Sequence, residues 1–74
     1  MHIEQLVTMA NEIAAFFAGA ADEGEAAASV ANHLRRFWDP RMRRQIIEHR
    51  KLGGAGLSKL ANEGVGLLID QPPM

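Results

Sequence analysis

The chemistry-bearing residues of this 74-residue sequence crowd into one run: His33-Leu34-Arg35-Arg36-Phe37-Trp38-Asp39-Pro40-Arg41-Met42-Arg43-Arg44. It holds five arginines, the single tryptophan and one of the three phenylalanines. Guanidinium groups present planar forks that match carboxylates and phosphates. Arginine and large aromatics are also the residue types enriched where proteins bind one another. Arg35, Arg36, Phe37, Trp38, Asp39, Pro40, Arg41, Arg43 and Arg44 are therefore the candidate partner-binding set.

Helix electrostatics add to that reading. Arg35 and Arg36 close one predicted helix, where cations suit the dipole, but Arg41, Arg43 and Arg44 open the next, where its positive end repels them. A broken local rule without internal compensation often marks a site. Asp39 can neutralise one arginine, which leaves four for water or an external acid. Simpler readings stand beside this one. Phe37 and Trp38 both fit an apolar helical stripe and suit a core, and the arginines suit an ordinary solvated face. His33 reads as a hydrogen-bonding boundary residue.

Catalytic arrangements do not assemble. Ser29 and Ser58 lack a G-x-S-x-G context, and Gly53-Gly54-Ala55-Gly56 lacks the Lys-Ser/Thr and the strand of a phosphate-binding loop. Glu23 and Glu25 sit at a helix start, where capping explains them. The sequence has no cysteine, and His2, His33 and His49 lie far apart, so a bound metal is not expected.

The elements that position the arginine run are predicted to be helices. Ile3, Leu6, Val7, Ala10, Ile13, Ala14 and Phe17 make one stripe over 3–18, widened by Met9 and Phe16. Gly19-Ala20-Ala21 ends it, with Gly19 suited to a left-handed cap. Asp22-Glu23-Gly24-Glu25 reads as a capping box for a second helix whose stripe is Ala27, Val30, Ala31, Leu34, Phe37 and Trp38. Asp39-Pro40 breaks the chain: Asp39 caps a third helix, 40–52, and Pro40 is its first residue. The glycine stretch 53–56 is a stop and hinge. Ser58 then caps a fourth helix reaching about Ile69, in which Gly64 and Gly66 call for close packing against a neighbour. The expectation is an all-α bundle of three to four short helices with a Pro-capped corner between helices two and three, a single domain over 1–70 and a tail at 71–74.

Composition bounds the rest. A chain this short buries only about 60% of the surface that its unfolded form exposes, so its core is marginal unless a partner completes it. The net charge of −1 hides an asymmetry, since seven of eight basic residues lie between Arg35 and Lys51 while five acids precede them. The apolar run from Ile13 to Ala21 is too short for a bilayer, and no basic stretch precedes it as in a signal peptide. A cytoplasmic protein with no membrane partner is expected.

At these residues the sequence resembles the small delta subunit of soluble, molybdenum-dependent, NAD-linked formate dehydrogenases. The resemblance rests on Leu6-Val7-x-Met9-Ala10-Asn11-x-Ile13 with Phe16-Phe17, on Ala31-Asn32-His33 running through to Arg43, and on Gly53-Gly54-x-Gly56-Leu57. The last helix departs most from the pattern, with no proline near Lys59 and with Gly64 and Gly66. The resemblance implies a large alpha subunit that carries the molybdenum bis-pterin centre and iron–sulfur clusters and oxidises formate to carbon dioxide. It also implies beta and gamma subunits that relay electrons to FMN and then NAD. For this chain it implies no cofactor and no catalytic residue, but docking on the alpha subunit in support of assembly or stability.

Two other classes compete. A transient maturation chaperone for molybdenum cofactor insertion would carry the same surface. A helix-turn-helix module would use the third helix on nucleic acid, but its basic residues spread around the axis and the chain is slightly acidic, so no nucleic-acid partner is expected.

Overall fold

The computed structural model describes residues 2–19 and 22–70, which form α1 (Ile3–Phe17), α2 (Glu23–Phe37), α3 (Pro40–Lys51) and α4 (Lys59–Asp70). Among the described residues there is no strand, and the predicted small all-α bundle is what is found, with four helices. Ala20, Ala21 and the tail 71–74 lie outside the described residues.

Each helix starts on a residue chosen for it. Gln5 Oε1 accepts from His2 N at 3.3 Å ahead of α1. The Asp22 carboxylate accepts from Gly24 N at 2.6 Å and Glu25 N at 3.4 Å ahead of α2. Asp39 Oδ1 accepts from Met42 N at 2.9 Å, with Pro40 following as the first residue of α3. Ser58 Oγ accepts from Ala61 N at 3.2 Å ahead of α4. These side chains satisfy amide groups that a helix start leaves without partners.

The ends are less uniform. α1 closes through Ala18 N to Ala15 O in a right-handed conformation (φ −62°, ψ −20°), and Gly19 does not take the left-handed cap predicted for it. That tight last turn satisfies a terminal carbonyl without a change of hand. α3 does end left-handed: Gly53 and Gly54 have φ of 121° and 66°, and Gly54 N reaches back to His49 O at 2.9 Å.

The core joins Leu6, Ala10 and Ala14 of α1, Val30 and Leu34 of α2, Trp38, Ile46 of α3, and Ala61, Val65 and Leu68 of α4. The α2–α4 pair makes the most extensive contact. Gly64 explains how they approach: a Cβ there would lie 2.5 Å from Val30 Cγ1. The close packing expected around the α4 glycines is thus present, with α2 the neighbour at Gly64 and the Arg50 side chain of α3 the neighbour at Gly66.

The loop between α3 and α4 is tied to α1 over a long sequence separation. Asn11 Nδ2 donates to Gly56 O at 2.9 Å, and Asn11 Oδ1 accepts from Ser58 N at 2.8 Å. His49 Nε2 lies 2.7 Å from Ala55 O on the same loop. These bonds hold 55–58 and make it a fixed strap, where the glycines alone suggested a hinge.

Candidate functional site

The α2–α3 corner is built by three consecutive departures from helical geometry. α2 stops at Phe37; Trp38 is extended (φ −90°, ψ 139°), and so is Asp39 (φ −73°, ψ 166°), as a residue before proline must be. The two aromatics separate there. Trp38 is 5% exposed and belongs to the core, whereas Phe37 is 68% exposed. The stripe reading placed both on the apolar face, and for Phe37 the structure corrects it. Periodicity holds only while the helix continues. The extended backbone at Trp38 sends the indole into the cluster with Leu34 and Ile46, and Phe37 is left on the outer side of the last turn.

The five arginines also divide. Arg43 Nη1 donates to the Arg35 carbonyl at 2.6 Å, from the first turns of α3 to the last turn of α2. Its charge thereby meets the negative end of a helix dipole, which offsets its position near the positive end of its own helix. The compensation that the sequence pattern does not show exists for this residue. Arg35 and Arg43 are half-buried, while Arg36, Arg41 and Arg44 are exposed. The Arg36 guanidinium lies 5.9 Å from the centre of the Phe37 ring, within cation–π range. Asp39 is exposed and occupied as the α3 cap. Pro40 is exposed at the helix start.

Among the described residues, the ion pair present is Lys59 with Glu23 at 3.5 Å, on the opposite end of α2. Both side chains are largely exposed, so it contributes little to stability. Arg36, Arg41 and Arg44 have no carboxylate partner within the described part of the chain.

A second feature joins the corner to the end of α1. Phe16 and Phe17 meet edge to face at 5.1 Å, Phe17 meets His33 at 6.3 Å, and His33 meets Phe37 at 4.6 Å. Phe17, His33 and Phe37 line a groove between α1 and α2 whose wall also holds Ser29, Asn32 and Arg36. Phe16 is 81% exposed. The sequence places Phe17 on the α1 core stripe, and it does pack half-buried against the core, whereas Phe16, expected to widen that stripe, is exposed. With His33 expected at the edge of the α2 stripe, the sequence does not reveal that these rings form one surface. The available signal was the adjacency of Phe16 and Phe17. Neighbours on a helix point about 100° apart, so two large rings in succession rarely both reach one core.

No helix of the described residues is long and apolar enough to cross a membrane. Among the same residues, no three His, Asp or Glu side chains gather as a metal-binding group would.

A family model described as NADH-dependant formate dehydrogenase delta subunit FdsD matches residues 5–65, which covers most of α1, all of α2 and α3, and the first half of α4. No curated protein and no solved structure matches the chain.

Proposed function

This chain belongs to the family of NADH-dependent formate dehydrogenase delta subunits, and from that premise we propose that it is a non-catalytic accessory subunit docking on the large alpha subunit. In this reading it supports assembly or stability of a cytoplasmic, molybdenum-dependent complex. The molybdenum bis-pterin centre, iron–sulfur clusters, FMN and the NAD site belong to the alpha, beta and gamma subunits, and formate oxidation takes place away from this chain.

The observation that carries docking is the charge arrangement at the α2–α3 corner. Arg36, Arg41 and Arg44 stand exposed with no acid of the described chain to meet them, on a molecule whose net charge is only −1. Cations left facing outward around one corner suit an acidic surface on a partner, and such contacts fix orientation and partner choice more than raw affinity. The small alanine-rich core points the same way, because a chain of this length gains stability when a partner covers it.

Deletion of the gene tests the reading. The expected outcome is less active, molybdenum-loaded enzyme per cell, with unchanged formate chemistry in whatever assembles. A complex that lacks this chain yet keeps full specific activity and thermal stability defeats it. Native mass spectrometry of the purified complex then fixes the mode of action. An equal count with the alpha subunit identifies a resident component, and absence from mature enzyme identifies a maturation factor.

A further inference from the structure

An exposed phenylalanine is unremarkable singly, but here two lie at the ends of one unbroken series of ring contacts, from Phe16 through Phe17 and His33 to Phe37. A single residue away the chain buries Trp38, while Phe37 is left outside the core. The groove is lined by the rings of Phe17, His33 and Phe37 together with the polar side chains of Ser29 and Asn32, and it carries one arginine, Arg36. No carboxylate lies among the described residues that line it. Arg36 is held over the Phe37 face and meets no acid of the described chain. A ligand for this groove must therefore supply both an apolar group and a negative charge a few ångströms from it.

We propose that the groove lined by Phe17, His33, Arg36 and Phe37, and extended by Phe16, is the docking site for an acidic segment of the partner subunit. An apolar side chain of that segment seats on the rings, and an adjacent Asp or Glu meets the Arg36 guanidinium. The proposal rests on the accessory-subunit reading and moves the centre of the contact from the Trp38–Arg41 corner to the α1–α2 groove. Trp38 supports it only indirectly, by fixing the end of α2 from inside. A single-stranded nucleic acid would also stack on rings, but it needs a row of cations to follow its backbone. The groove wall offers Arg36 alone, and Arg43 is committed to the Arg35 carbonyl.

The test uses the full chain co-expressed with the other subunits. In a Phe16→Ser, Phe37→Ser double variant, both changes fall on exposed side chains, so circular dichroism and thermal midpoint should match the parent. Recovery with the large subunit should fall by about tenfold or more, as for loss of an interface anchor. Arg36→Glu should weaken recovery as well, with Arg36→Lys retaining most of it. If the double variant unfolds, Arg36→Glu gives the decision instead. A photo-crosslinking residue at position 37 should capture a segment of the large subunit that contains Asp or Glu beside an apolar residue. Parent chain that binds the large subunit, with the serine pair and Arg36→Glu binding equally well, overturns the groove and leaves the accessory-subunit reading intact. Parent chain that never associates with the enzyme defeats that reading as well. Capture of a segment without acids, of a second copy of this chain, or of a labelled oligonucleotide overturns the proposed occupant.

Discussion

Arg43 and Arg35, two members of a five-arginine cluster, are bound to each other through a main-chain carbonyl, with Arg43 Nη1 donating to Arg35 O at 2.6 Å. Like charges are thereby held together at a corner because one of them serves as the cap of the other's helix. The last carbonyls of α2 have no intrahelical donors, and a guanidinium from α3 supplies one. The cluster thus has a part committed to the fold and a part left facing outward.

Arg43→Met should lower stability by about 1 kcal/mol, since a charged hydrogen bond of this kind contributes roughly 1.5–3 kcal/mol and is discounted here for partial exposure. For a domain of this size that is a fall in thermal midpoint of about 4–8 °C. Arg44→Met, on an exposed side chain, should change stability by less than about 0.5 kcal/mol. Equal midpoints for the two variants would remove the capping role of Arg43.

Trp38 should report its burial directly, as the only tryptophan in the chain. Its fluorescence in the folded protein should be blue-shifted and poorly quenched by acrylamide, and should shift red on unfolding. Trp38→Ala should cost about 3–5 kcal/mol and leave little folded protein. Loss of complex with that variant therefore reports unfolding, whereas Phe37→Ser keeps the fold and reports contact.

Gly64→Ala should destabilise the bundle although alanine favours helix by about 0.5–1 kcal/mol over glycine. The added methyl would meet Val30 Cγ1 at 2.5 Å and force α2 and α4 apart, a cost of about 1–3 kcal/mol. Combining it with Val30→Ala should recover part of that loss, a non-additivity that denaturant titration of the double-mutant cycle measures.

Asn11→Ala should loosen the α3–α4 strap, since both ends of its carboxamide are engaged by Gly56 and Ser58. The expected loss is about 1–2 kcal/mol for two exposed hydrogen bonds. Hydrogen exchange should rise at the Ser58 amide in particular. Asn11→Asp retains the acceptor for Ser58 N but turns a carboxylate toward the Gly56 carbonyl, so it should recover only part of the protection.

Much of the fold was legible because its signals are local. Asp22, Asp39 and Ser58 cap helices in the structure where the sequence placed caps, and Pro40 opens α3. A cap needs only three or four consecutive residues, so no tertiary information enters. The same holds for the glycine stop after Lys51, where left-handed backbone is required. Asn11 was legible only as part of a family pattern. Its reason lies 45 residues away at Gly56, and spacing of that order carries no periodic signal.

The arginine-rich corner with which the reading began was half determined by the sequence. The sequence alone set the position of the corner, because a residue before proline leaves the helical region whatever surrounds it. It also put five cations within two helical turns of that point. Only the tertiary structure decided which of them face outward and that Phe37, not Trp38, is the exposed aromatic. Helical periodicity gives a side chain's direction about its own axis, but where the helix ends its neighbours decide what covers that direction. α3 offers the α2 carbonyls a donor and the core receives the indole, while the groove side of α2 remains open around Phe37.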